Sequence, residues 1–192
     1  AYDGTNWTAT NAINTARSYI SGFGTSTAGL IVGGANPRST GINNAESFDG
    51  TNWTAAPTTP FATKEGATSG PATAGVFAGG APNLTASYEI NSTTWTTGNS
   101  LNVGRSGMGF GGQGATQSAG WIAGGSTPTS SATEHYDGTS WTTAAVIATA
   151  RAKLGGAGTQ SLGVIFGGGP DSGLSATEEY TDAGVVKTLT TS

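Results

Sequence analysis

Tyr2-Asp3-Gly4-Thr5-Asn6-Trp7-Thr8 returns as Phe48-Asp49-Gly50-Thr51-Asn52-Trp53-Thr54, and again as Tyr136-Asp137-Gly138-Thr139-Ser140-Trp141-Thr142. A looser copy runs from Tyr88 through Asn91 to Trp95-Thr96. The tryptophans Trp7, Trp53, Trp95 and Trp141 are therefore 46, 42 and 46 residues apart. A fixed period of this length is the signature of a repeat architecture, in which similar small units bury their apolar faces against one another.

A second phrase keeps the same beat. Ala28-Gly29-Leu30-Ile31-Val32-Gly33-Gly34 matches Ala74-Gly75-Val76-Phe77-Ala78-Gly79-Gly80, then Ala119-Gly120-Trp121-Ile122-Ala123-Gly124-Gly125, then Leu162-Gly163-Val164-Ile165-Phe166-Gly167-Gly168. A basic residue stands upstream of each: Arg17, Lys64, Arg105 and Arg151. Each unit reads as four short strands. In the first unit these are Arg17-Ser18-Tyr19-Ile20, the apolar run ending in Gly-Gly, Ala45-Glu46-Ser47-Phe48, and Asn52-Trp53-Thr54-Ala55. The apolar runs are too short for helices and are bounded by glycine. Asp49-Gly50 and Asp137-Gly138 supply the positive-φ turn between strands three and four. The doubled glycines let the chain leave the strand or pass close to a neighbour. The predicted units are approximately 10–55, 56–97, 98–143 and 144–192, with 1–9 a partial unit, all in one domain. The repeated tryptophans are expected between units, as core.

Composition agrees with an ordered chain of this kind. Only 9% of the 192 residues are charged, against about 25% in an ordinary soluble domain. Yet five Trp, five Tyr and six Phe are present, which a disordered chain would lack. The net charge of −4 is spread thinly, with no basic cluster to track a phosphate backbone, so nucleic acid is not an expected partner. No apolar run reaches bilayer length, so membrane insertion is not expected either. Cysteine is absent, which excludes disulfides and thiolate chemistry.

A paired glycine after an apolar strand, then an aromatic, then Trp, resembles the kelch-type β-propeller family. The residues are Gly33-Gly34 with Phe48 and Trp53, Gly79-Gly80 with Tyr88 and Trp95, and Gly124-Gly125 with Tyr136 and Trp141. The last unit has Gly167-Gly168 and Tyr180, but Val185-Val186 stand where Trp is expected. The resemblance implies an all-β propeller of four blades, each of four short antiparallel strands. The Gly/Thr-rich wording is similar to kelch-like proteins of bacteriophages and marine bacteria, and unlike the charged adaptor propellers of eukaryotic ubiquitin ligases. In propellers a strand from one terminus often completes the blade begun at the other. The stretch from Thr5 to Ala9 is expected to close the ring in this way. The alternative is that the tail Val185-Val186-Lys187-Thr188-Leu189 makes its own fourth strand, leaving the opening strand as the remnant of a preceding repeat.

Catalytic signals are sparse. The single histidine, His135, has no repeated partner with which to build a metal site. Asp171 lies in the turn Gly168-Gly169-Pro170-Asp171-Ser172-Gly173, which lacks the spaced oxygens of a calcium loop. Neither a nucleophile elbow nor a phosphate loop occurs. Glu46, Glu134 and Glu178 share one repeat position, broken at Ala86, and face two readings. They either pair with the recurring basic residues inside each blade or line a charged ring about the axis.

The expectation is a binding or structural module, not an enzyme, with no cofactor. The leading reading is an attachment module of a virion or cell surface, such as a phage tail fibre or capsid decoration. Its partners would be other virion or surface proteins and a host glycan or protein, with a homo-oligomer as a further option. Alternatives are a general protein-interaction scaffold and, less favoured, a propeller glycosidase. Sugar binding needs exposed aromatics beside polar groups, and the candidates are Trp121, Tyr19 and Phe110. Trp121 is singled out because Leu30, Val76 and Val164 stand at its repeat position; filling a local packing gap is the competing reading.

Overall fold

The computed structural model describes residues 1–37, 40–112, 116–126, 128–169 and 173–181, together with the backbone of a last strand. Asp171 lies outside the described residues. The first blade is β1 (Ser21–Thr25), β2 (Ala28–Val32), β3 (Ala45–Phe48) and β4 (Trp53–Ala56). The second is β5 (Ala67–Ser69), β6 (Val76–Ala78), β7 (Ser87–Ile90) and β8 (Trp95–Thr97). The third is β9 (Gly109–Gly111), β10 (Trp121–Ala123), β11 (Thr133–Tyr136) and β12 (Trp141–Ala144), with a single 3₁₀ turn at Gln117–Ala119. The fourth is β13 (Gly155–Gly158), β14 (Leu162–Phe166), β15 (Thr177–Thr181) and β16 (Val185–Leu189). Each blade is an antiparallel meander in sequence order, and the four form a β-propeller.

The Asp-Gly turns hold the outer strand pair of a blade in register. The Asp49 carboxylate accepts the backbone N–H groups of Thr51 (2.8 Å) and Asn52 (2.7 Å), and Gly50 takes φ +98°. Asp137 repeats these bonds with Thr139 and Ser140. Asn91 stands in for Asp in blade two, accepting from Thr94 N–H at 3.1 Å. These donated bonds hold the carboxyls of Asp49 and Asp137 below the ordinary aspartate pKa. A folded value below the unfolded one means the contribution is complete above the unfolded pKa and is lost as pH falls through the folded one. The thermal midpoint is therefore expected to drop on acidification through that window. An Asp49→Asn, Asp137→Asn double variant should show a shallower drop, and an unchanged slope would remove the turns as its source.

Blades pack through alternating faces of β2 and its counterparts. Leu30 and Val32 of blade one are buried with Phe77 and Ile90 of blade two, and Phe23 and Trp95 join them. Val76 and Ala78 meet Met108, Ile122, Tyr136 and Trp141 of blade three. Trp121 and Ala123 meet Ile147, Leu154 and Ile165 of blade four. Trp95 and Trp141 thus pack between blades, Trp53 is half-buried against Phe48, and Trp7 stands exposed. At the Gly-Gly corner the backbone itself joins neighbours. Gly34 N–H donates to Thr63 O (3.0 Å), Gly80 to Arg105 O (2.9 Å) and Gly125 to Arg151 O (2.9 Å). Gly34 has φ +102°, and a Cβ there would lie 2.8 Å from Ser18 O, so the corner requires glycine.

Three expectations are corrected. The N-terminal strand does not complete the last blade: β16 pairs with β15, and Tyr2 and Trp7 pair with each other. The tail is β-branched and follows β15 by a short connection, so it reaches that edge at a much smaller chain-closure cost than the distant terminus. The first strand begins at Ser21, not Arg17, because Arg17 is committed to a side-chain bond and Tyr19 takes φ +55°. Finally, Ile90, not Tyr88, opposes Trp95 in the way Phe48 opposes Trp53. In blade four the residue opposite Tyr180 is Val186, where the missing Trp was expected.

Candidate functional site

Arg17, Arg105 and Arg151 each precede the first strand of a blade and reach Glu46, Glu134 and Glu178 on the third strand of the same blade. The separations are 2.5 Å for Arg17–Glu46 and 2.6 Å for Arg105–Glu134. All six side chains are buried. The second guanidinium nitrogen donates to two backbone carbonyls, Gly124 O and Ala132 O for Arg105. The carboxylate also accepts from the linker before the first strand: Asn102 donates to Glu134 through its backbone N–H (2.8 Å) and its amide (2.8 Å). Burial lowers the pKa of the Arg17 and Arg105 guanidinium groups, and the adjacent glutamate opposes that fall. Each pair is a clasp inside one blade, tying the entering linker to strand three. The charged-ring reading of these residues does not hold.

Blade two has no such clasp, and Lys64 is not its basic member. The bridge Lys64↔Ala81 corresponds to Ser18↔Ala35 and Ser106↔Ser126, which places Thr63 at the arginine position and Tyr88 at the glutamate position. Thr63 is buried and donates to Ala81 O (3.1 Å), while Tyr88 packs on Phe61 with ring centroids 5.1 Å apart. A small hydroxyl and an aromatic pair replace the ion pair. Lys64 instead stands over the Tyr19 ring, 5.4 Å from its centroid.

The surface toward which all four blades converge lies at the axis. Two residues after the arginine position come Tyr19, Glu65, Gly107 and Lys153, with φ of +55°, +59°, +61° and +56°. Their backbones bond in series: Glu65 N–H to Tyr19 O (3.1 Å), Gly107 N–H to Glu65 O (2.8 Å) and Lys153 N–H to Gly107 O (2.7 Å). The next residues along, Ile20, Gly66, Met108 and Leu154, together with Ser21 and Phe110, complete a mouth of about 270 Å³. This left-handed conformation is strained by about 1–2 kcal/mol for a residue with a side chain, yet only one blade uses glycine. Lys153→Gly is therefore expected to raise stability relative to Lys153→Ala by roughly 1 kcal/mol in urea denaturation. Equal stabilities would remove the strain.

Tyr19 and Phe110 thus share this mouth, Tyr19 exposed and Phe110 half-buried against the core of blades two and three. Glu65 and Lys153 bring opposite charges to it, and neither belongs to an ion pair among the described residues. Sequence reasoning missed both, although Gly107 at the same repeat position was a signal that the backbone there is left-handed. Trp121 lies elsewhere and is only 5% exposed, wedged between blades three and four. The candidate sugar platform is interface core, because its indole fills the space above glycines of β9 and β14. His135 stacks edge-on against Tyr180, centroids 5.2 Å apart.

The chain is a four-bladed β-propeller with a largely apolar mouth on its axis that carries Tyr19, Glu65 and Lys153. No family model matches it, and no curated protein does.

Proposed function

We propose that this chain is a binding module rather than an enzyme, an attachment element of a virion or cell surface that holds a host glycan in the axial mouth. The observation that carries the reading is the mouth itself. Four blades deliver one left-handed backbone position to a common cavity, and three of them carry a side chain there: Tyr19, Glu65 and Lys153. Strain retained at convergent polar positions is a mark of functional sites. An exposed phenol ring beside a carboxylate and an ammonium suits a sugar, whose faces are apolar and whose edges are hydroxyl-rich. The repeat wording supports the finer reading of a kelch-like propeller of the Gly/Thr-rich phage and marine bacterial type.

A glycan array probed with labelled wild-type chain, Tyr19→Ala and Lys153→Ala tests the proposal. Retention of a defined set of saccharides by the wild type, with at least about tenfold weaker binding by both variants at undiminished thermal midpoints, is the expected result. Absence of any retained saccharide, or equal binding by all three proteins, would overturn it.

A further inference from the structure

Blade four presents an apolar face that no other described residue covers as the earlier blades are covered. Val32, Ala78 and Ala123 are 0%, 1% and 2% exposed beneath the blade that follows; their counterpart Phe166 is 47% exposed. Leu162, on the same face, is 66% exposed, where the other blades hold Ala28, Ala74 and Ala119. With Val164 and Glu179 it lines a groove of about 220 Å³. At Phe166 and Leu162 this face carries larger apolar groups than the equivalent positions of the other blades, the opposite of a polar cap. Across two closed interfaces the facing residues Met108 and Leu154 are buried, whereas their counterpart Ile20 on blade one is exposed. The backbone bonds that join successive blades have no fourth member from blade four to blade one among the described residues.

The N-terminal residues display the complementary half. Asp3 accepts from Thr5 and Asn6 at 2.8 and 2.7 Å, as Asp137 does from Thr139 and Ser140. The Tyr2 and Trp7 rings lie 5.1 Å apart at 32°, against 4.8 Å and 32° for Tyr136 and Trp141. The latter pair is buried with Ala67, Val76 and Ala78 of the preceding blade. Trp7 is 83% exposed. One molecule thus displays an exposed ring pair and an uncovered apolar face, each resembling one half of the interface between blades two and three.

We infer that the Tyr2/Trp7 hairpin of one copy docks on the Leu162, Val164 and Phe166 face of a second copy. The molecule's own hairpin is not the occupant, because it stands clear of that face while its linker is tied to blade one: Asn11 donates to Asn52 at 2.7 Å, the counterpart of the Asn99–Ser140 contact. Such a contact is heterologous and propagates head to tail into closed rings or open chains.

Sedimentation velocity of the whole chain over a concentration series tests this with wild type, Trp7→Ala and Leu162→Asp. Both positions are exposed, so thermal midpoints should hold. The wild type is expected to associate with increasing concentration, and each variant should weaken association by roughly thirtyfold or more. A mixture of the two variants should form dimers and stop there, since only one intact hairpin and one intact face remain. A wild type that stays monomeric throughout overturns the inference, as does association that neither substitution weakens. A monomer in which Trp7 emission is blue-shifted and loses that shift in Leu162→Asp would assign the face to the chain's own hairpin and equally overturn it.

Discussion

Arg105→Ala is expected to destabilise the propeller by about 3–5 kcal/mol, the cost of leaving a buried carboxylate without its partner. Glu134 would keep the two bonds from Asn102 but lose the guanidinium, Gly124 O would lose its arginine donor, and Ala132 O would keep only the Gly124 N–H. Equilibrium urea unfolding followed by tryptophan fluorescence reads the loss directly. Blade two supplies the control, since Thr63, Tyr88 and Phe61 occupy the positions of Arg105, Glu134 and Val103 without an ion pair. Transplanting that solution as Arg105→Thr, Glu134→Tyr and Val103→Phe should recover most of the deficit. Recovery would mean that the clasp is one of two interchangeable ways to seat the linker. A triple variant no more stable than Arg105→Ala would mean that the charge pair does something the aromatic pair cannot.

Trp121→Ala should cost a comparable amount, about 3–5 kcal/mol, with the residual cavity contributing part of it. The indole is pressed into a slot made by missing side chains: a Cβ on Gly156 would lie 3.0 Å from its Cη2, and one on Gly163 would lie 3.1 Å from its Cζ2. On the side of Gly111, Gly156 and Gly163 no side chain can collapse into the space, because the wall there is backbone. Trp121→Val, the residue that Val76 and Val164 represent at this position, should cost less than Ala but still leave most of the void. Thermal denaturation of both variants, with glycan binding measured alongside, separates packing from recognition. Loss of binding by a fully stable Trp121→Ala would restore this residue as a ligand platform.

Much of the architecture was legible because the repeat is written twice, once in the Asp-Gly-Trp phrase and once in the Gly-Gly phrase. Two independent markers in constant register leave little freedom in strand order. Register within the second unit was harder. Its loop between Gly80 and Ser87 is shorter than its counterparts, so matching by residue type placed Tyr88 with the aromatics, and Lys64 was matched to the arginines by charge although it stands one residue after their position. The hydrogen-bond ladder decides such questions, and side-chain identity does not. The axial mouth was only half visible for a related reason. Tyr19 drew attention as an aromatic, but Glu65, Gly107 and Lys153 share nothing with it except a backbone angle, which composition does not report. Trp121 misled in the opposite sense, since its partners are glycines on other strands and the slot exists only after folding.

At three of the Gly-Gly corners one main-chain amide donates to one main-chain carbonyl of the following unit. That bond by itself carries no side-chain code. On that bond alone any unit that begins with the matching carbonyl can follow the glycine corner, but the side chains beneath it must also fit, as Trp121 fits Gly156 and Gly163 of the next blade. Duplication or loss of a whole unit would therefore keep the main-chain bond at a new joint, while the apolar contacts beneath it would have to be matched afresh.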